Sequence, residues 1–350
     1  MTKTAATVIV TGISGNLGKR LLPLLGEFRV VGVDLQSPDS PLPVEFHAMN
    51  LGHEPSCREL TQLIRTTGAR TVVHLAFVMD PLRVGPLNAE RMWQINVAGT
   101  ARVMEAISVV NRTGGNVRQF IFTSCVAAYG PENSGPVMED APLRGHTLPY
   151  AVHKRESDEV VRYRSESLGE CRAYLLRPQI YAGSSVQNYL MGALRESVES
   201  KSHQPARKRA KGRRLAVVLP RGRKYVEQPF QFVHVDDVAR LIAYVLRRPH
   251  GDPPLTILNV AAHGDPLSME TCIEIARANV TRIPSRAACR IVAGMLWKWG
   301  VSSVPPEALP YMIGSYTMDT TRLQQFLGPD YSDVIRYSVE EALRDSFAGR

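Results

Sequence analysis

Residues 7–18, Thr-Val-Ile-Val-Thr-Gly-Ile-Ser-Gly-Asn-Leu-Gly, constrain this chain more than any other stretch. The β-branched run from Thr7 to Thr11 reads as a buried strand. It empties into Gly12, Gly15 and Gly18, and an apolar-rich helix follows from Leu17 to Leu25. A strand that ends in a glycine turn at a helix N-terminus presents free backbone N–H groups, and the positive end of the helix dipole, to a phosphate. Gly12 allows the tight turn, Gly15 the close approach of a pyrophosphate, and Gly18 the packing of helix on strand.

The next strand, Arg29 to Val33, ends at Asp34. An acid about 20 residues beyond such glycines accepts hydrogen bonds from the adenosine ribose hydroxyls and repels a 2′-phosphate, which favours NAD over NADP. The pattern predicts further strands at Val44–Met49, Thr71–Ala76, Gln119–Ser124, Ala173–Leu176, Phe230–Val235 and Leu255–Val260. Helices are expected over 56–66, 88–110, 150–167 and 238–246, the last capped by Asp236 and Asp237. Strands alternating with helices in this way define an α/β fold, a doubly wound parallel sheet with its functional crevice at the carboxyl ends of the strands. Later helices are expected at 271–279, 287–299, 321–326 and 339–347, with Pro305–Pro310 a loop, so the smaller C-terminal substrate domain is mostly α.

Tyr150 and Lys154 stand four apart, on one face of the expected helix. A tyrosine with an ordinary pKa of about 10 is a poor acid–base at neutral pH, and a nearby ammonium lowers that value by stabilising the phenolate. Together with the glycine loop, this pair makes the chain similar to the extended short-chain dehydrogenase/reductase superfamily, and specifically to the NAD-dependent epimerase/dehydratase family. The matching residues are Thr11-Gly-Ile-Ser-Gly-Asn-Leu-Gly18, Asp34, His74-Leu75-Ala76, Asn96-Val-Ala-Gly-Thr100, Thr123-Ser-Cys-Val-Ala-Ala-Tyr-Gly130, Tyr150 with Lys154, Arg177-Pro178 and Phe232-Val-His-Val-Asp-Asp-Val-Ala239. They run in the family's order over residues 7–260.

The resemblance implies that Gly12, Ser14, Gly15, Asn16, Leu17 and Gly18 hold the pyrophosphate and Asp34 the adenosine ribose. Asn50 and Leu51 would lie near the adenine, where the family usually has Asp-Leu, and Leu75 and Ala76 on the ribose side. Asn96, Tyr150 and Lys154 complete the cofactor set. Tyr150 would exchange a proton with a substrate hydroxyl while the nicotinamide takes or returns a hydride. It further implies an NAD-binding domain of residues 1–183 and 227–262, a substrate-binding domain of 184–226 and 263–350, and a homodimer built on the helices near 88–110 and 150–167.

Three positions depart from the family pattern. Cys125 stands where the family places a catalytic Ser or Thr, and a thiol is a weak hydrogen-bond donor. Either Ser124 substitutes, or Cys125 serves with reduced efficiency, or catalysis is impaired. A nucleophilic role for Cys125 is set aside, since a buried cysteine usually behaves as a small hydrophobe. Ile180 replaces an Asn, and Phe230 an Arg, that sugar-nucleotide members place against the substrate diphosphate. Both changes move weight from a sugar-nucleotide epimerase or dehydratase toward an oxidoreductase acting on a less polar substrate. A reading of another class also stands: a non-catalytic NAD-binding sensor or scaffold whose chemistry has decayed at Cys125.

Charge and cysteines bound the remainder. The formal charge is +9, but residues 201–224 carry ten Lys/Arg and no acid, and without them the chain stands at −1. That basic insert reads first as a solvated surface loop and next as a contact for a phosphate-bearing substrate. Nucleic acid and an anionic membrane come last, because aromatic interleaving is absent apart from Tyr225. The helix at 287–299 would cap a hydrophobic substrate pocket, lie on a membrane surface, or pack into the small domain or a second subunit. Five dispersed cysteines, without C-x-x-C spacing, predict reduced thiols in a cytoplasmic protein. His47, His53, His153, His234 and His263 have no metal-ligand spacing, so no metal is expected. No apolar run is long enough for a membrane span, and the chain enters its first strand too soon for a signal peptide.

Overall fold

The computed structural model describes residues 5–37, 44–79, 89–195, 215–248, 251–299, 301–302 and 304–348. Most of the basic insert, Lys201 to Arg214, lies outside them, so the readings of that run rest on sequence alone.

The chain alternates β1 (Thr7–Thr11), α1 (Asn16–Leu21), β2 (Arg29–Asp34), β3 (Glu45–Ala48), α2 (Ser56–Thr67) and β4 (Thr71–His74). It continues through α3 (Ala89–Trp93), a single π turn at Gln94–Ala98, α4 (Gly99–Arg112), β5 (Gln119–Thr123), α5 (Pro149–Arg164) and β6 (Arg172–Pro178). The central sheet has seven strands in the order β11-β6-β5-β4-β1-β2-β3, with β11 spanning Leu255–Val260. Every pairing in it is parallel. The order reverses between β1 and β4, which opens the crevice of a doubly wound sheet at the carboxyl ends of those two strands.

Strands buried on both faces explain the near-continuous Val/Ile runs. Val8 and Val10 point into one core with Leu21, Val238 and Ile242, while Ile9, Val31 and Val72 point into the other with Leu60, Val103 and Phe120. The elements between β6 and β11 are β7 (Ile180–Ala182), α6 (Tyr189–Leu194), β8 (Val217–Pro220), β9 (Pro229–Phe230), β10 (Phe232–His234) and α7 (Val235–Arg247). After β11 come β12 (Leu267–Ser268), α8 (Met269–Ala276), β13 (Val280–Ile283) and α9 (Arg286–Lys298), then α10 (Leu309–Ile313), α11 (Thr321–Leu327), α12 (Tyr331–Val334) and α13 (Val339–Asp345). A third core, including Leu190, Leu219, Phe232, Met269, Met312 and Leu343, is assembled from these later elements.

Three local expectations are corrected. Helix α7 begins earlier than 238, and its cap is His234, whose Nδ1 accepts the Asp236 N–H at 3.2 Å. Asp236 and Asp237 sit in its first turn, and the buried Asp237 carboxylate instead accepts the N–H groups of Arg336 and Tyr337. The segment Pro305–Pro310 is not a plain loop. Pro306–Ala308 is a 3₁₀ turn and Pro310 lies in the first turn of α10, where a missing N–H costs nothing. Helix α8 starts at Met269, capped by the Ser268 side chain, and ends where Arg277 turns left-handed at φ 51°.

Helix α5 is tied to the sheet by a buried ion pair. Arg177, near the end of β6, is fully buried and grips Asp158 of α5 through two bonds of 2.8 Å, from Nε and Nη2. Its Nη1 donates to the Tyr129 hydroxyl at 2.6 Å and to the Glu139 carbonyl at 2.7 Å. The Tyr129 hydroxyl then donates to Asn259 Oδ1 on β11. Burial opposes the Arg177 charge, but the Asp158 carboxylate outweighs it and holds the guanidinium well above its ordinary pKa. With one partner removed, the other becomes an uncompensated buried charge, at a cost of about 3–5 kcal/mol. Arg177→Met and Asp158→Leu should each lose about that much in urea unfolding, and the double variant should lose less than their sum.

Candidate active site

The glycine loop is built as its spacing predicts. Gly12 has φ 74°, and its N–H donates to the Val33 carbonyl at 2.8 Å. A Cβ there would lie 2.5 Å from the Ala76 nitrogen, so β1 and the end of β4 approach as closely as only glycine permits. A Cβ on Gly18 would fall 2.5 Å from the Ile13 carbonyl oxygen, which presses α1 onto the turn. Gly15 meets only the Gly12 carbonyl, at 3.1 Å, and faces open space.

That space comprises two cavities. One, of about 320 Å³, is lined by Ser14, Gly15, Asp34, Asn50, Leu51 and Ala76, among others. Asp34 stands at its edge, with its carboxylate accepting the N–H groups of Ser14 at 2.9 Å and Leu35 at 2.7 Å. The side-chain carbonyl of Asn50 accepts the Gly52 N–H, and its amide meets the His53 ring. The other cavity, of about 420 Å³, passes Asn16, Leu17, Leu75 and Lys154 and ends at Tyr150. A glycine turn with unsatisfied helix N–H groups, an acid at one end and a Tyr/Lys pair at the other fits a dinucleotide with its pyrophosphate at the glycines.

A third cavity, of about 110 Å³, lies on the far side of Tyr150 and is mostly apolar. Tyr150, Met79, Tyr181 and Asn188 border both this cavity and the 420 Å³ one. Cys125 is in its wall, with its thiol beside the Tyr150 hydroxyl. Ser124 borders neither cavity, and its buried hydroxyl has no partner among the described residues. Of the two neighbours weighed from sequence, the structure therefore presents Cys125 to the reacting side. Ile180 also lines this cavity. Phe230 is buried and meets the Tyr316 ring edge-on at 6.4 Å, packing apolar surface where an Arg was expected in sugar-nucleotide members.

The electrostatics differ from the expectation for a Tyr/Lys pair. Lys154 Nζ donates to the Thr123 carbonyl at 2.7 Å and rests 3.5 Å from the centre of the Phe77 ring, while the Tyr150 ring centre is 5.8 Å away. Burial lowers the Lys154 pKa to about 8. Tyr150 is not depressed: burial, and then the neighbouring Cys125, hold its hydroxyl well above 10. Cys125 is raised by burial, against the opposing charge of Lys154. In this arrangement burial keeps the Tyr150 phenol neutral, with the Lys154 amine close behind it.

Asn96, at the π turn, does not border either cofactor cavity. It clamps the loop that does, accepting the Val78 N–H at 2.7 Å and donating to the Val78 carbonyl at 2.8 Å. The sequence reading missed Phe77, Met79, Tyr181, Asn188, Tyr189, Tyr311 and Tyr316; the first two follow β4, and their place directly after Leu75-Ala76 was the available signal. Among the described residues no group of His, Cys, Asp or Glu is arranged to hold a metal ion, and no helix is long and apolar enough to cross a membrane.

A sheet of this order, with a glycine cradle and a Tyr/Lys helix at its carboxyl edge, defines the Rossmann dinucleotide-binding class of the extended short-chain dehydrogenase/reductase type. The model of the NAD dependent epimerase/dehydratase family matches residues 8–261, and the chain belongs to that family. A curated relative, UDP-glucose 4-epimerase of Streptomyces lividans, is 29% identical over 192 residues, which are 54% of this chain and 54% of that protein. The chain thus aligns with about half the length of that relative. Among solved structures, UDP-glucose 4-epimerase of Thermus thermophilus complexed with NAD has a TM-score of 0.66 at 19% identity, covering 98% of this chain and 99% of that one. UDP-glucuronic acid 4-epimerase from Bacillus cereus, in complex with UDP-glucuronic acid and NAD, has a TM-score of 0.65 at 17% identity, with 97% and 98% covered. These likenesses establish a shared fold.

Behind the cradle runs a buried chain of hydroxyls through His74. Thr100 donates its one hydroxyl proton to the Asn96 carbonyl at 2.6 Å, so toward His74 Nε2, 3.1 Å away, it accepts. His74 is thereby the Nε2–H tautomer, its Nδ1 accepts the Thr11 hydroxyl at 2.6 Å, and the Thr11 oxygen is left free to accept the Ala76 N–H. Burial, and then Lys154, lower the His74 pKa from 6.5 to about 3. Between those values the unfolded chain binds a proton that the native state refuses, so stability rises with pH across that window and falls on acidification. The melting temperature should drop as pH is lowered from about 6.5 toward 3, with His74 contributing about 1.4 kcal/mol per pH unit within it. His74→Gln should flatten that part of the pH profile.

Proposed function

We propose that this protein is an NAD-dependent enzyme that exchanges a hydride at a hydroxyl- or carbonyl-bearing carbon of a small molecule, with Tyr150 as acid/base. The observation that carries the reading is the position of Tyr150 in the wall shared by the glycine-loop cavity and the apolar cavity beyond it. In this reading Gly12, Ser14, Gly15, Asn16, Leu17 and Gly18 hold the pyrophosphate, and Asp34 the adenosine ribose. Asn50, Leu51, Leu75 and Ala76 flank the adenine and ribose. Bound NAD would supply the hydride acceptor and donor. Tyr150 gives its proton to a carbonyl oxygen, or takes one from a hydroxyl once Lys154 has stabilised its phenolate. Cys125 sits beside Tyr150 in the wall of the substrate cavity. Residues 1–183 and 227–262 form the cofactor half, and 184–226 with 263–350 the substrate half.

A second reading, epimerisation of a nucleotide sugar, is favoured by the curated relatives and solved neighbours that carry the name UDP-glucose or UDP-glucuronic acid 4-epimerase. The weak thiol donor at Cys125 favours a third, a cofactor-binding protein without turnover. NAD should raise the melting temperature, and NADP should do so less, because Asp34 repels the extra phosphate. Tyr150→Phe should lower turnover about 10²–10⁴-fold while NAD still stabilises the fold, and Cys125→Ser should raise turnover. Unchanged turnover in Tyr150→Phe would sink the mechanism, and NAD stabilisation with no turnover on carbinol or UDP-sugar substrates would favour the third reading.

The reading extends to a cytoplasmic homodimer joined through α4 and α5. The free cysteines, four of them buried, suit a reducing compartment. Exposed Tyr163 on α5, and Trp93 just before the π turn, offer apolar surface for the contact. Analytical ultracentrifugation should give twice the chain mass, and Tyr163→Glu should shift it to the monomer; a monomer for the unaltered chain removes this part of the reading.

A further inference from the structure

The cavity beyond Tyr150 bears no charged side chain among the described residues. Its wall is built from tyrosines and aliphatic groups, with Gln179 and Asn188 as the amides. Gln179 is already satisfied: its amide donates to the Tyr316 carbonyl at 2.9 Å, and its oxygen accepts the Ile180 N–H at 3.0 Å. Asn188 caps α6 with its oxygen and donates its amide to the Tyr181 carbonyl. The burial of Tyr181 and Tyr316 raises both hydroxyls far above the neutral range, so these rings add no charge either. A diphosphate seated against these residues would lose its hydration without gaining a cation from any described residue of the wall.

A fourth cavity, of about 70 Å³ and lined mostly by apolar side chains, lies under α9. Cys289, Ala293 and Leu296 of α9 form its roof, with Val217 of β8 and Leu309 of α10 below. Met312 is part of the wall of both this cavity and the one at Tyr150. Methionine is unbranched, with three rotatable bonds, so it is the side chain best suited to swing aside and join the two spaces. The apolar character of the helix at 287–299 is thus divided: Ile291, Met295 and Trp299 face out, while one stripe roofs this cavity.

We infer that the substrate is an uncharged secondary alcohol or ketone carrying an apolar chain, its oxygen at Tyr150 and Cys125 and its chain running past Met312 to the space beneath α9. This assignment rests on the hydride-exchange reading above. In reduction the Tyr150 hydroxyl proton goes to the carbonyl oxygen and leaves the phenolate, while bound NADH would supply the hydride with its electron pair; oxidation starts from that phenolate and is the reverse.

The test compares sec-butanol, a dodecyl secondary alcohol and UDP-glucose as ligands of the NAD-loaded protein, by thermal shift and by NADH absorbance. A buried methylene is worth about fourfold in affinity, so the dodecyl alcohol should bind at least about a hundredfold tighter than sec-butanol. Ala293→Trp, which fills the space beneath α9, should reduce that ratio at least tenfold. The chain-length series on the unaltered protein decides the matter even if that variant fails to fold. Equal affinity for the two alcohols, or a larger shift from UDP-glucose than from either, overturns the assignment. NADH formed from UDP-glucose alone would leave hydride exchange standing while this inference falls, whereas failure of NAD to raise the melting temperature would remove the reading beneath it.

Discussion

The bidentate grip of Arg177 on Asp158 is the interaction on which the catalytic geometry depends. Both groups are wholly buried, so neither has water as an alternative partner, and the pair holds only in one alignment of α5 against β6. Asp158 lies one helical turn beyond Lys154 and two beyond Tyr150, on the same helical face. Whatever sets the rotation of α5 therefore sets the direction in which the tyrosine and lysine point. The same guanidinium reaches Tyr129, and through it Asn259 on β11, so the ends of β6 and β11 and the turn carrying Cys125 are drawn to one point. A buried ion pair is a poor source of net stability, since desolvation consumes most of its Coulombic gain. Its value here is register.

Charge at the site is managed by burial more than by pairing. Lys154 is held by a carbonyl and an aromatic face and bonds to no carboxylate among the described residues, so burial outweighs the more distant charges and lowers its pKa to about 8 while Tyr150 stays high. The lysine and tyrosine are near enough to couple once a ligand brings a shared oxygen or hydroxyl between them, but they are not bonded to each other in the protein alone. His74 is treated in the same way. A neutral ring fixed between two threonines transmits position from α4 to the β1 turn without adding a charge under the pyrophosphate cradle.

The sheet was legible because its signal is dense: each central strand is buried on both faces, so its β-branched run appears in the sequence without interruption. The glycine roles were legible for a related reason, since a position where a Cβ would lie 2.5 Å from another stretch of backbone leaves no choice of residue. What escaped was whatever depends on a partner distant in sequence. Asn96 carried a family position, but its bonds go to the backbone of Val78, and no spacing rule discloses that target. His234 took the cap expected of Asp236 and Asp237 because Asp237 is drawn inward by the N–H groups of Arg336 and Tyr337, about a hundred residues away. The proline-rich segment at 305–310 looked like a loop, yet prolines in first turns favour helix starts as readily as they end helices.

The two sides of Tyr150 are built on different principles. On the cofactor side recognition comes from backbone, through N–H groups, a positive φ and one carboxylate, so it survives wide variation in side chains and can be read from a short motif. The far side, where the proposed substrate would sit, is lined mostly by packed side chains. Phe230 against Tyr316, Ile180 in the wall and Cys125 at the tyrosine are each modest changes, but all three replace a polar or stronger donor by a weaker or apolar group, and all three bear on one cavity or its lining. A single such change would leave an orphaned polar partner opposite it, a cost of about 1–3 kcal/mol. Around this cavity the two amides, Gln179 and Asn188, are already satisfied internally. On the proposed reading that satisfaction suits an apolar ligand chain, which offers these amides no hydrogen bond in exchange for the ones they already make.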